Sequence, residues 1–108
     1  MKAWGMLAIS VLLGMTAAAG HYYRVQGDRV SFYLEMPTAR NVYFTHSLNG
    51  FKLQRAEQGN AGTWAFTMTA KFEFRYFYII DGDVFVPACA FREADDFGFE
   101  NCIFVPGS

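Results

Sequence analysis

The chain has 108 residues, with 9 basic and 10 acidic side chains and a net charge of −1 at neutral pH. That balance excludes the basic footprint of a nucleic-acid binder. Aromatic residues make up 19% of the chain, 12 of them phenylalanine, and each buried ring removes about 150–250 Å² from water, so a small core can still hold a fold.

Met1-Lys2 makes a short positive start, and Ala3 to Ala19 carries no charge. The run ends in Thr16-Ala17-Ala18-Ala19-Gly20, small residues of the kind a signal peptidase reads. The expectation is a signal peptide over residues 1–19, cut after Ala19, and a secreted or periplasmic protein with no membrane association afterwards. A retained anchor is the alternative, because the apolar run reaches the short end of what spans a bilayer. No cysteine lies near the cut to carry a lipoprotein anchor. Cleavage loses only Lys2, leaving 8 basic and 10 acidic residues on Gly20–Ser108 and a charge of −2. That length allows one domain at most.

Downstream, hydrophobicity alternates with a period of two, the pattern of half-buried strands. Tyr22–Val25 is a candidate edge strand, and Val30, Phe32 and Leu34 alternate with Ser31, Tyr33 and Glu35. Val42 and Phe44 resume after Pro37-Thr38-Ala39, and Asn49-Gly50 signals a turn. A weak strand is expected over Phe51–Ala56, then a loop over residues 58–62. Trp64, Phe66 and Met68 share one face. The strongest strand is Phe72–Ile80, with Phe72, Phe74, Tyr76, Tyr78 and Ile80 on the core face and Glu73, Arg75, Phe77 and Ile79 on the other. Asp81-Gly82-Asp83 turns the chain into Val84–Val86, which Pro87 ends. Arg92–Gly98 reads as an acidic loop and Glu100–Val105 as the closing strand. Short strands with a turn every ten residues or so indicate a sandwich or barrel.

Cys89 and Cys102 form an even pair in a chain expected to be exported, which reads as a structural disulfide, with two buried thiols as the alternative. Their spacing is not that of a redox pair.

Three segments, in order, resemble one family. Val42-Tyr43-Phe44-Thr45-His46-Ser47-Leu48-Asn49-Gly50-Phe51 is similar to the Val-x-Leu-x-Gly-x-Phe-Asn-x-Trp segment of glycogen-binding, isoamylase-type early-set modules. Gly62-Thr63-Trp64 with Phe72–Gly82 is similar to their Gly-x-Trp and Tyr-x-Tyr-Lys-Phe-x-Val-Asp-Gly stretch. Asp96–Asn101 with Ile103-Phe104-Val105 resembles their closing segment. The resemblance runs over roughly Val30–Val105, most of the chain after the expected cut, and implies an all-β, immunoglobulin-like (early-set) β-sandwich and, in many members, binding of α-glucan oligosaccharide.

A sugar ring offers a flat C–H face to an aromatic side chain, and its hydroxyls need polar neighbours. Binding members of the family use two Trp residues and a Lys. Here Phe51 stands at the first Trp, Phe77 at the Lys, and Val84 or Phe85 in the region of the second Trp. The carbohydrate-binding candidates are therefore Phe51, Phe85 and Phe77 for stacking, with Asn49, Lys52 and Asp83 as polar neighbours. Phe51 is otherwise a turn aromatic covering the sheet edge. The outward pair Phe77 and Ile79 supports an alternative, a protein–protein contact or self-association through a sandwich without a sugar site. Cover by a loop is a third reading of that pair.

No catalytic group, cofactor or metal is expected. The chain has no nucleophile motif, phosphate loop or convincing carboxylate pair. Asp81, Asp83, Asp95 and Asp96 lack calcium-loop spacing. His21 and His46 lack zinc-ligand spacing.

Overall fold

Alternating apolar side chains over residues 30–34 and 74–80 can be buried only if two sheets present those faces to each other, and the chain does this. The computed structural model describes residues 20–107, so the leader expected over residues 1–19 lies outside the described residues. Ten strands follow in order. They are β1 His21–Gln26, β2 Arg29–Glu35, β3 Val42–His46, β4 Gln54–Arg55, β5 Glu57–Gln58, β6 Thr63–Thr69, β7 Phe74–Ile80, β8 Asp83–Phe85, β9 Arg92–Ala94 and β10 Glu100–Phe104. One antiparallel sheet runs β9-β10-β7-β3-β4, with β8 also paired to β7, and the other runs β1-β2-β6-β5.

The core lies between the sheets. Val30, Phe32, Leu34 and Trp64 come from one sheet and Val42, Phe44, Phe74, Tyr76, Tyr78, Cys102 and Phe104 from the other, all at most 3% exposed. Phe32 centres the aromatic packing, 4.7–6.1 Å from the rings of Phe44, Phe74, Tyr76 and Phe104. The Trp64 indole N–H donates to the Met36 carbonyl at 3.1 Å, so its burial leaves no donor unpaired. Cys89 and Cys102 are joined in a disulfide. No helix among the described residues is long and apolar enough to cross a membrane.

Three segments differ from the sequence expectation. Arg92–Ala94 is a strand rather than a loop, pairing with β10 from Arg92↔Cys102 to Ala94↔Glu100. It is an edge strand whose residues are all exposed, so charge rather than alternation marks it. The strand expected over Phe51–Ala56 is reduced to the two residues of β4 on β3, and β5, just beyond it, joins the other sheet on β6. The chain changes sheets at buried Ala56, whose N–H donates to the Val42 carbonyl. Phe72 is 69% exposed rather than in the core. It sits in the crossover from β6 to β7, before the first residue of that strand.

One histidine, His46, is buried within this fold and a second, His21, is half-buried. His46 is 6% exposed; its Nε2 meets Gln54 Oε1 at 3.1 Å, and its Nδ1 has no partner. His21 Nε2 meets the Tyr78 hydroxyl at 3.0 Å. Burial holds both imidazoles below their ordinary pKa, against smaller opposing hydrogen bonds to Gln54 (for His46) and to the Ala88 backbone (for His21). Both are therefore neutral in the fold where the unfolded chain is already protonated. The stability this confers is complete above about pH 6.5 and is lost as pH falls from there through the lowered folded values. The expected result is a urea midpoint that is flat above neutrality and drops as pH falls below about 6.5. Replacing both histidines with Asn should flatten the drop, and an unchanged profile would contradict the assignment.

Candidate functional site

The outer face of the β9-β10-β7-β3-β4 sheet carries three of the candidate residues, Phe77 and Ile79 by alternation and Phe51 through a turn. Alternation along β7 sends Arg75, Phe77 and Ile79 outward, and register sets Thr45 opposite Phe77 and Tyr43 opposite Ile79. Asn101 and Glu93 face each other across β10 and β9 on the same side.

Phe51 reaches this face through a turn that departs from ordinary backbone. Gly50 has φ 73° and Phe51 itself has φ 62°. An aromatic residue in that region is strained by roughly 1–2 kcal/mol. The Phe51 N–H donates to the His46 carbonyl at 2.9 Å, which holds the turn closed. The ring then stacks on Phe77 with centroids 5.7 Å apart and an interplanar angle of 25°. Phe51 keeps 40% of its surface exposed. Thr45 is 1% exposed despite its outward register, so the face is covered beside Phe77.

The pair borders a depression of about 370 Å³, walled on the far side by Arg75, Glu93, Asp95 and Asn101. Arg75 is fixed from two sides, by Glu93 at 2.6 Å and Glu73 at 3.0 Å. The hydrogen bond it donates to Glu93 does most to raise its pKa, so the guanidinium stays charged. Its own backbone N–H donates to Ser47 Oγ at 2.9 Å, tying β7 to the turn that carries Phe51. On the other side, Arg55 lies 5.7 Å from the Tyr43 ring and donates to Asn41 Oδ1 at 2.8 Å.

The remaining candidates are placed differently. The Asn49 amide serves its own turn, donating to Gln54 Oε1 at 3.0 Å and accepting the Lys52 N–H at 3.2 Å. Lys52 is exposed beside Phe51. Phe85 is directly opposite Tyr78, a core position, and packs against the core. Its neighbour Val84, opposite Ile79 and 58% exposed, takes the outward place. Asp83 is exposed at the hairpin, opposite Ile80. The structure thus brings Phe51 and Phe77 together and leaves Phe85 and Asp83 apart from them. The register of the Asp81-Gly82 turn, with both φ values positive, decides this parity.

Sequence reasoning missed Arg75, Glu93 and Asn101 as neighbours of the aromatic pair. Arg75 was signalled by its place two residues before Phe77, but Glu93 and Asn101 depend on a hairpin that charge concealed. Among the described residues, no group of three or more His, Cys, Asp or Glu side chains is arranged to hold a metal ion.

No protein-family model and no curated protein matches the sequence. Solved structures do match the fold. A pullulanase from Bacillus acidopullulyticus aligns with TM-score 0.55 and 23% identity, over 81% of this chain and 11% of that chain. A mutant pullulanase from Paenibacillus barengoltzii complexed with maltotetraose aligns with TM-score 0.54 and 21% identity, over 80% of this chain and 14% of that chain. The catalytic module of the multi-modular glycogen-degrading pneumococcal virulence factor SpuA, in complex with an inhibitor, aligns with TM-score 0.55 and 23% identity, over 88% of this chain and 18% of that chain. This chain therefore spans 11–18% of the length of these proteins. At such identities the likeness is one of fold: an all-β sandwich similar to one small part of each larger enzyme.

Proposed function

We propose that this chain is a non-catalytic, exported module that binds α-glucan chains on the outer face of the β9-β10-β7-β3-β4 sheet. The observation that carries the reading is Phe51, held at φ 62° so that its ring stacks with Phe77 and stays open to solvent. Strained backbone persists where surrounding structure enforces it, and such sites cluster where ligands are held. The paired rings offer an apolar surface for a sugar face, and Arg75 and Asn101 border the depression as polar partners for hydroxyls. Arg75 supports the reading further, because it puts a cation on the face where the resembled family has its Lys. The names of the matched proteins, which include pullulanases and a glycogen-degrading enzyme, point to the same substrate class.

A binding rather than catalytic role is supported by the nearest carboxylates. Glu93 is engaged by Arg75, and Asp95 accepts the Phe97 and Phe99 backbone N–H groups on the same side of the depression, so the two do not flank a cleft as an acid–base pair must. Export is supported by the apolar, Ala-rich pattern of residues 1–19 and by the Cys89–Cys102 bridge, since disulfides persist in oxidising compartments.

The test is Phe51→Asn, because Asn tolerates a left-handed backbone. Its thermal midpoint should match or slightly exceed that of the parent, while retardation in a glycogen-containing native gel is lost. Retardation equal to the parent's would place sugar binding elsewhere. A second reading, contact with another protein or a second copy, is favoured by the outward aliphatic pair Ile79 and Val84, which sugar stacking does not use. It expects Phe77→Lys to lower the sedimentation coefficient of an associating protein. Unchanged sedimentation, together with an unchanged set of captured partners, would remove it.

A further inference from the structure

The opposite face of the sandwich carries a second polar site. Along β2, alternation sends Arg29, Ser31 and Tyr33 outward, away from core residues Val30, Phe32 and Leu34. Register lines up Arg24, Ser31 and Thr67 in one row across three strands, and Gln26, Arg29 and Thr69 in the next. All of these but Thr69 line a shallow depression of about 520 Å³. Its floor is the hydroxyl pair Ser31 Oγ and Thr67 Oγ1, 2.7 Å apart. Tyr33 forms one wall, backed by Tyr22 stacked on it at 4.9 Å, and Arg24 lies 5.9 Å from the Tyr22 ring.

The two guanidiniums are the informative part. Arg75, Arg92 and Lys71 each pair with a carboxylate, whereas Arg24 and Arg29, like Arg40, Lys52 and Arg55, have none within ion-pair distance among the described residues; what sets Arg24 and Arg29 apart is that both line the one depression. The nearest acid in sequence, Asp28, pairs with Lys71, and the Glu35 side chain lies against Gly20 near the far end of β2. Two unpaired guanidiniums one diagonal step apart, in a chain of net negative charge, leave a locally positive patch suited to a carboxylate. A bare anion would use the arginines alone. An acidic sugar would also use the tyrosine wall for its ring face and the hydroxyl floor for its hydroxyls.

We propose that this face is a second carbohydrate site, selective for uronic-acid-containing chains and independent of the Phe51–Phe77 platform. The test is calorimetric titration of the purified protein with a galacturonate hexamer, with inorganic phosphate alone as a competitor. The hexamer should bind, more weakly as salt is raised. Arg24→Gln combined with Arg29→Gln should weaken it at least tenfold, as should Tyr33→Ala, while Phe51→Asn leaves it unchanged. Circular dichroism confirms that each variant is folded; the exposed arginines can be replaced without opening the core. Absence of hexamer binding, or affinity that survives the double arginine substitution, would overturn the proposal. So would phosphate competing as well as the hexamer, since the site would then be a simple anion patch.

Discussion

Phe32→Ala should lower the stability of this protein by about 3–5 kcal/mol, the cost of removing a fully buried phenylalanine and leaving most of its volume empty. Phe32 is 0% exposed and stands on the middle of β2, with its ring against Phe44, Tyr76, Phe74 and Phe104 of the facing sheet. Those four come from three strands, so the cavity cannot close by moving one side chain. A domain this small has a total stability of about 5–15 kcal/mol, so the loss is a large share of it. The thermal midpoint should fall by roughly 12 °C or more. Phe77→Ala, on the solvent side of β7, should cost less. Equal losses at the two positions would contradict the placement of the core.

Removal of the Cys89–Cys102 bridge should have the next largest effect, about 3 kcal/mol by the loop-closure argument. The bridge closes a loop across a sequence separation of 13, and that segment contains β9. Cys102 is buried and lies opposite Tyr76, so the cross-link ties the connection after β8 to the core side of β10. A double Cys→Ala variant is preferable to Ser, because a hydroxyl at buried position 102 would add an unpaired polar group. The urea midpoint should fall in the variant, and to a similar degree when reductant is added to the parent. A parent midpoint indifferent to reductant would show that the bridge does not constrain the unfolded chain.

The sandwich was legible wherever one face of a strand is buried and the other is wet. Val30, Phe32 and Leu34 in β2 and Phe74, Tyr76 and Tyr78 in β7 stand out because side chains alternate across a strand. The pattern was silent for β9, whose exposed Arg92 and Glu93 are held by Glu100 on the adjacent β10 and by Arg75 on β7 beyond it. It was also silent for β4 and β5, because two-residue strands are too short to show a period. At the candidate site, the Asn49-Gly50 turn was readable, but the positive φ that extends to Phe51 was not, since no local propensity favours it in an aromatic residue. Parity failed at Phe85 for a related reason. A shift of one residue in the Asp81-Gly82 hairpin exchanges Val84 and Phe85 between the faces, and composition does not distinguish the two registers.

The central claim is that the stacked Phe51–Phe77 pair is a sugar platform. Titration of the isotope-labelled protein with maltoheptaose, following amide and aromatic chemical shifts, tests it most directly. Saturable shifts should centre on Phe51, Phe77, Arg75 and Asn101 and leave the Tyr33 face unmoved. No shift at millimolar sugar, or shifts confined to residues outside that face, would contradict it.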